Sequence, residues 1–400
     1  MTSGMILIVG PLDFPTRNAA AQMMEGVARS FQQNGYSVRI IGRATDPQHI
    51  GTSLTISPGV EAVLPSPSTS KINFPTTFRA ISRLSSVQRP RAVLLYNPDA
   101  ALLAAVLASK SRLTDRLIAV ATEWYDAPDF SHAPFRAIAK QIDTNLRMRH
   151  LLHFVDGLIV SSTYLGEYYR RKPTVIIPGV GIPAGPIEPR SSDDHPGKVL
   201  LLYAGNPFRR EARELQGREM KDRLDVAIDI LTDSSMDDVS FAFEIYGITR
   251  EDYLLAVPRH RDILSGVNGR RIHFMGAREA SEVRTRLGQA DYTILIRDES
   301  RLTRAGFPTK VVESVTAGVP PIVSETGDIA LYIRDGENGV ILPNGHEERV
   351  QCVKSTILNH GSNHDAMADR CMTESPFEIA RVATLLNTIM ASTPQGRNTP

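Results

Sequence analysis

Short apolar runs alternate along the whole chain with segments whose apolar residues recur at helical spacing. A strand buried on both faces needs an unbroken hydrophobic run, and parallel neighbours need a crossover helix between them, so this alternation predicts βαβ units. In the first half the strand-like runs fall at 5–9, 38–41, 92–95, 117–121, 158–160 and 175–177. Between them, helical patterns cover 17–34, stopping at Asn34-Gly35, then 98–110, and 134–154 with apolar Phe135, Ile138, Ile142 and Leu146. That is one Rossmann-like sheet.

From residue 178 the pattern stops in a run dense in Pro, Gly and polar residues, which reads as an interdomain linker. A second βα series then starts, with strand-like runs at 199–203, 241–246, 271–274, 292–296 and 319–323 and helices near 221–232, 279–288 and 308–317. Residues 377–390 form an amphipathic helix whose Phe377, Ile379, Val382, Leu385, Leu386 and Ile389 need a partner. The pattern therefore predicts a first domain at 1–180, a linker at 181–197, a second domain at 198–375 and a terminal helix at 376–392. A chain of 400 residues fits two domains of ordinary size.

Composition narrows the class by exclusion. Hydrophobic residues at 42% and charged residues at 22% exclude a disordered or membrane-embedded body. Forty-five basic against 44 acidic residues leave a net charge of +1, with no general attraction to nucleic acid. The halves differ slightly: 20 Lys and Arg against 15 acids in 1–196 give +5, and 25 against 29 in 197–400 give −4. Two cysteines, Cys352 and Cys371, form no metal or disulfide pattern, so a reducing, cytoplasmic setting is expected. The apolar run at 5–9 has no basic leader, and the longest uncharged apolar stretch, 100–109, cannot span a bilayer.

The chemistry concentrates at 305–339. There the chain reads Ala-Gly-Phe-Pro-Thr-Lys-Val-Val-Glu-Ser-Val-Thr-Ala-Gly-Val-Pro, then Pro-Ile-Val-Ser, then Gly-Asp-Ile-Ala-Leu-Tyr-Ile-Arg-Asp-Gly-Glu-Asn-Gly at 327–339. This resembles the nucleotide-sugar site of the retaining GT-B glycosyltransferases of family 4, the glycosyl transferases group 1. Leu202-Tyr203-Ala204-Gly205-Asn206-Pro207 with Lys221-Asp222, and His273-Phe274-Met275-Gly276 with the segment ending at Asp291, are similar to the family's donor domain. Ile6-Leu7-Ile8-Val9-Gly10 with Asn34-Gly35-Tyr36 is similar to the opening of its acceptor domain. The resemblance implies an α/β GT-B fold: two Rossmann-like domains with parallel sheets facing a central cleft, and a C-terminal helix crossing back to the first domain.

A nucleotide-diphosphate sugar needs its diphosphate neutralised, its ribose hydroxyls bound and its base seated. Gly306, Phe307 and Pro308 lie just ahead of a helix beginning at Thr309, where free N–H groups suit a diphosphate. Lys310, Lys221 and either Arg209 or Arg210 would add charge; the bland alternative, a solvated surface cation, weighs more for the arginines than for the two lysines. Glu313 follows Lys310 by one turn, so a carboxylate for the ribose diol can share its helix face. Gly205 and Asn206 open the donor side, while Gly276, Ala277 and Arg278, with Glu282 beyond, form a candidate base wall. The family's pattern carries another glutamate eight positions before Glu313. Here that position is Ala305, with Asp298 and Glu299 as the nearby acids that could replace it.

On the acceptor side, Arg17 and Asn18 stand at a helix start after the first strand. Glu123, Trp124, Tyr125 and Asp126 directly follow another, so Glu123 or Asp126 could orient or deprotonate a hydroxyl and Trp124 could stack on a sugar, or pack internally. Lys221, Glu123 and Asp126 are the catalytic candidates. No Asp-x-Asp triplet occurs, so no metal and no cofactor are expected beyond the nucleotide-sugar donor itself. From 134 to 172 seven Lys or Arg face three acids; Arg136, Lys140, Arg147 and Arg149 lie on the helical segment. That segment reads either as a core-packed helix with a solvated basic face or as a dock for an anionic inner leaflet.

The resemblance thus implies retaining transfer, by front-face attack, to a polysaccharide or glycolipid precursor, with a sugar or lipid-linked acceptor as partner and no nucleic acid. A GT-B sugar-nucleotide 2-epimerase and, because of Ala305, a catalytically degenerate binding or scaffold subunit are the alternatives. A two-domain dehydrogenase fits worst, since no GxGxxG follows any strand.

Overall fold

The computed structural model describes residues 4–69, 74–124, 134–183, 185, 190–191, 194–208 and 220–392. The chain divides into two units. The first runs to Ile182 and includes Arg304–Phe307 and the chain from Phe377 onward; the second comprises Pro183–Thr303 and Pro308–Pro376.

Among the described residues the first unit has an eight-stranded sheet. Its strands are β1 (Met5–Phe14), β2 (Ser37–Ala44), β3 (Ser53–Ser57), β4 (Val60–Val63), β5 (Ala92–Tyr96), β6 (Leu117–Ala121), β7 (Gly157–Val160) and β8 (Thr174–Ile176). They lie in the order β3-β4-β2-β1-β5-β6-β7-β8. All pairs are parallel except β3 with β4, a hairpin turning at Pro58-Gly59 that the hydrophobic pattern misses because its residues alternate weakly and stay half-exposed.

Alternation along β1 feeds two cores. Ile6 and Ile8 meet Met24, Val27 and Phe31 of the helix Ala19–Gln33, while Leu7 and Val9 join Leu102, Leu103, Val106 and Trp124 on the opposite face. The C-terminal helix, Ile379–Ala391, completes the first core with Val382, Leu386 and Ile389, all buried. Polar contacts fix it there. Asn34 Nδ2 donates to the Ala383 carbonyl at 2.8 Å, and the Arg116 guanidinium donates to the carbonyls of Ile389 and Ser392. A cation on last-turn carbonyls satisfies acceptors that the helix leaves open.

The helix Pro134–Arg149 departs from the core-packed reading. Its apolar row faces outward, with Ile138 46%, Ile142 61% and Leu146 43% exposed. Thr144, Arg147 and Met148 are buried instead, and Arg147 Nη1 donates to the Pro98 carbonyl at 2.9 Å. Residues 138, 142 and 146 share one side at i+4 spacing, so once Arg147 is drawn inward by that carbonyl the row must point away.

The second unit holds β9 (Val199–Ala204), β10 (Phe241–Tyr246), β11 (Ile272–Gly276), β12 (Tyr292–Leu295), β13 (Pro321–Ser324) and β14 (Val340–Leu342). Their order is β11-β10-β9-β12-β13-β14, all pairs parallel. Leu200, Leu202, Ala242 and Tyr246 pack with Leu287, Ala290 and Val319. Among the described residues no helix is long and apolar enough to cross a membrane.

Because Trp124 is the sole tryptophan and is buried in the first unit, its fluorescence reports that unit's unfolding. Leu386→Ala should lower stability by about 2–5 kcal/mol, seen as an earlier urea midpoint of the Trp124 signal. An unshifted midpoint would mean that the terminal helix contributes nothing to this core.

Candidate functional site

Three strands of the second sheet end in glycines with positive φ. Gly205 (φ +146°) follows β9, Gly247 (φ +96°) follows β10 and Gly276 (φ +68°) closes β11. Gly205 N–H donates to the Tyr246 carbonyl at 2.9 Å and Gly247 N–H to that of Gly276 at 2.8 Å, continuing the ladder beyond the strands. Side chains have no room here. A Cβ on Gly247 would lie 2.8 Å from the Gly205 carbonyl, and one on Gly205 would lie 2.4 Å from Lys310 Cε. The carboxyl edge of this sheet is therefore bare backbone with a lysine laid across it.

That lysine belongs to the helix Thr309–Thr316. Lys310 Nζ donates to Asp222 Oδ2 at 2.8 Å and lies 5.4 Å from the centre of the Tyr203 ring. Asp222 is buried, and it also accepts from Arg297 Nε at 2.7 Å and from Tyr203 Oη at 2.9 Å. Burial by itself would raise the Asp222 carboxyl, but the Lys310 and Arg297 charges and their hydrogen bonds outweigh it and hold the group far below the usual carboxylate range. Burial and the Asp222 charge push the Tyr203 phenol well up, so it remains a neutral donor. Two cations on one carboxylate leave a surplus positive charge, carried by the half-buried Lys310. Arg297 is held in turn by Ser324, whose Oγ accepts from its N–H at 2.8 Å and donates to its carbonyl at 2.9 Å.

Glu313 sits one turn along the same helix, beside a cavity of about 20 Å³ that Lys310, Tyr203, Ala204 and Leu295 also line. Burial raises its carboxyl, and the charges of Lys310 and Arg284 only partly oppose this. Unlike Asp222, the Glu313 carboxylate makes no hydrogen bond or ion pair among the described residues. Pro308, at the N-cap, offers no side-chain acceptor to the first-turn N–H groups of Thr309 and Lys310.

The other expected residues scatter. Lys221 is exposed next to Asp222, and its N–H donates to the Pro207 carbonyl at 3.3 Å. Asn206 is exposed, its Oδ1 accepting from the Phe208 N–H. Arg278 is exposed too, donating to the Met275 carbonyl at 3.1 Å and lying 3.8 Å from Glu282. Asp298 pairs with Arg223, and Glu299 accepts from the Gly327 N–H at 3.1 Å, so both substitutes for the missing glutamate are engaged. Arg209, Arg210, Tyr125 and Asp126 lie outside the described residues.

Several residues expected at the ligand have roles within the protein. Gly306 and Phe307 belong to the first unit, where the ring of buried Phe307 packs tilted against that of Phe377, centres 5.7 Å apart. Ala305 is fully buried in that unit's core, and its carbonyl accepts from Ser161 Oγ at 2.9 Å and Ser162 Oγ at 2.8 Å. Trp124 is 3% exposed, edge-on to Tyr164 and Tyr168, so its indole packs and has no open face for a sugar. Asn18 caps the helix Ala19–Gln33 by accepting from the Ala21 N–H at 2.8 Å and donates to Pro11 and Asp13. Arg17 lies 2.6 Å from Glu25, a buried carboxylate shared with Arg29. Glu123, half-buried just past β6, keeps a place at a strand's carboxyl end. Sequence reasoning missed Arg297 and the structural role of Asp222. Only the adjacency of Asp222 to Lys221 signalled the latter, and nothing local marks Arg297.

Residues 216–359 match the family described as glycosyl transferases group 1. The whole chain is similar to sucrose-phosphate synthase from Thermosynechococcus elongatus, with a TM-score of 0.69, 12% identity, and 96% of this chain and 98% of that one covered. It is also similar to Anabaena HepE in complex with UDP, with a TM-score of 0.62, 13% identity and coverage of 98% and 100%. A glycosyltransferase from Rickettsia africae gives a TM-score of 0.63 at 12% identity, covering 98% and 100%. No curated protein matches the chain by sequence.

The unpaired Glu313 carboxyl makes stability depend on pH. Its pKa is raised on folding, so above the unfolded value, about 4.3, the folded chain binds more proton than the unfolded one and stability falls as pH rises through that window. Glu313→Gln should therefore melt higher than the parent at pH 7, and the gap should close as pH falls toward about 4.3. A lower melting temperature for the variant at pH 7 would show that the carboxylate has a stabilising partner.

Proposed function

We propose that this chain, a GT-B protein whose residues 216–359 carry the glycosyl transferases group 1 domain, moves a sugar from a nucleotide-diphosphate sugar to a polysaccharide or glycolipid precursor with retention of configuration. The observation that carries this reading is the pairing on one helix of Lys310, the outlet of a surplus positive charge, with Glu313, a carboxylate that no protein donor holds among the described residues. Lys310 and the first-turn N–H groups stabilise the charge that grows on the departing diphosphate, and Lys221 supplies a second cation. Glu313 accepts two hydrogen bonds from the ribose diol. The UDP and UDP-glucose complexes of HepE support a uridine diphosphate sugar as the first donor to assay.

The leaving diphosphate takes the acceptor hydroxyl's proton on the face from which it departs, and Glu123 is a candidate for orienting an acceptor. Charge comes from the protein, so transfer should survive excess EDTA and Lys310→Ala should lower turnover at saturating donor by an order of magnitude or more. Proton NMR of the product's anomeric signal in an EDTA-treated reaction checks metal independence and retention together. Loss of transfer in EDTA overturns the cationic mechanism, an inverted anomer overturns retention, and donor binding without turnover would favour the degenerate reading that Ala305 suggests.

The protein acts at the cytoplasmic face of a membrane on a lipid-linked acceptor. The exposed row Ile138, Ile142 and Leu146, with exposed Lys140 and Arg149 on the same helix, gives an apolar face beside basic charge. Each basic residue near an anionic surface is worth about 1 kcal/mol, so Lys140→Glu with Ile142→Asn should weaken sedimentation with anionic vesicles about fivefold or more. Equal binding of variant and parent would remove the membrane from this account. Arg147, being buried, is unsuited to such a test.

A further inference from the structure

The geometry points to a divalent-metal site made by Asp291, His360 and His364 at the amino edge of the second sheet, suited to zinc or a similar first-row ion. Asp291 immediately precedes β12, and His360 and His364 stand four positions apart at the start of the helix His360–Thr373. That spacing places both imidazoles on one helix face, one turn apart. One donor atom from each of the three residues lies within 4.8 Å of the other two, and the two imidazole centres are 4.6 Å apart against the buried Tyr292 ring.

The donors are prepared unequally. Asp291 Oδ2 is already used, accepting from the Leu200 N–H at 2.7 Å and from Arg190 Nη1 at 3.0 Å, which fixes the carboxylate and leaves Oδ1 turned to His360. His360 makes no hydrogen bond among the described residues: its Nδ1 is buried without a partner, and its Nε2 stands 3.8 Å from Asp291 Oδ1. That gap is too long for a hydrogen bond. It is close to the roughly 3.4 Å that separates two ligands on a tetrahedral zinc ion with bonds near 2.1 Å, so a small contraction would bring both into coordination. His364 Nε2 donates to the Asp291 carbonyl at 2.9 Å, a hydrogen bond it would exchange for the ion, and its Nδ1 lies 3.2 Å from Asp365 Oδ1, the kind of carboxylate contact that orients a metal-bound imidazole. Asp291 and Asp365 together outweigh the charge of Arg190, so the site is net negative.

A second group, Asp194, His195 and Glu244, has similar spacing and makes the contrast. There the Arg286 guanidinium already donates to both Glu244 oxygens, at 2.7 and 2.6 Å, and to Asp194, so the cationic position is filled by the protein. At Asp291, among the described residues, no protein cation donates to Oδ1, Arg190 being on Oδ2. The ion would tie the start of His360–Thr373 to the start of β12, at the opposite end of the strand from Arg297 and the Lys310 cluster, and would act on stability without entering the transfer reaction.

The test uses tag-free full-length protein and the metals alone, with no donor present, so that its outcome is separate from that of the transferase reading. Titration with Zn2+ should show one tight equivalent and raise the thermal midpoint by a few degrees, while Mg2+ at the same concentration should not. His360→Gln and His364→Gln should each abolish the equivalent and the shift. An unmoved midpoint in the parent, or a full Zn2+ response in variants that fold, overturns the site. Should either variant fail to fold, Co2+ added to the parent decides: the intense visible bands of a four-coordinate site support the assignment, and only the pale six-coordinate spectrum refutes it.

Discussion

Everything at the carboxyl edge of the second sheet hangs on one buried carboxylate. Asp222 ties together Tyr203 from β9, Arg297 from the segment after β12 and Lys310 from the helix Thr309–Thr316. Without those partners the anion could not stay ionised in so dry a place; with them it fixes where each partner can stand. The stoichiometry matters as much as the geometry. A carboxylate with one cation would be electrically finished, whereas with two it leaves a positive charge, carried by Lys310, at the point where the glycine-ended strands expose backbone.

The sheet architecture was legible because fully buried parallel strands must be written as unbroken apolar runs, and the strand positions expected from 5–9 through 292–296 coincide with observed ones. What escaped was amphipathic in a weaker way. The hairpin of β3 and β4, the short β14, and the helices His346–Leu358 and His360–Thr373 bury few residues each, so their hydrophobic signal is thin; the helix Phe74–Val87 is clearly amphipathic and was legible, though not among the expected elements. The helix Pro134–Arg149 is a different case: its periodicity left both a core-packed and an outward-facing reading open, since a periodic row says that a face exists but not which side the protein keeps.

The candidate site divides along a similar line. Lys310 and Glu313 could be found because their spacing on a helix is a local property, while Arg297 could not, because its role is set by a carboxylate 75 positions away. Trp124, Arg17, Asn18 and Phe307 show the converse. Residue types that do chemistry at surfaces are spent here on packing, pairing and capping, and only burial distinguishes the two uses. Ala305 extends this to a departure from the family pattern: its small side chain sits in a dry core, where an ionised replacement would have to be desolvated and the neighbouring side chains displaced.

The glycine rungs at 205, 247 and 276 have a consequence for divergence. A surface composed of peptide groups has no side chains to vary, so natural variation has almost nothing to act on there. Selectivity among ligands must then be encoded in the surrounding loops and in the helix Thr309–Thr316, while the floor supplies only a generic electrostatic stage. Two proteins sharing this floor could differ completely in what they select, and swapping their loops rather than editing their strand ends would be the route by which one acquired the preference of the other.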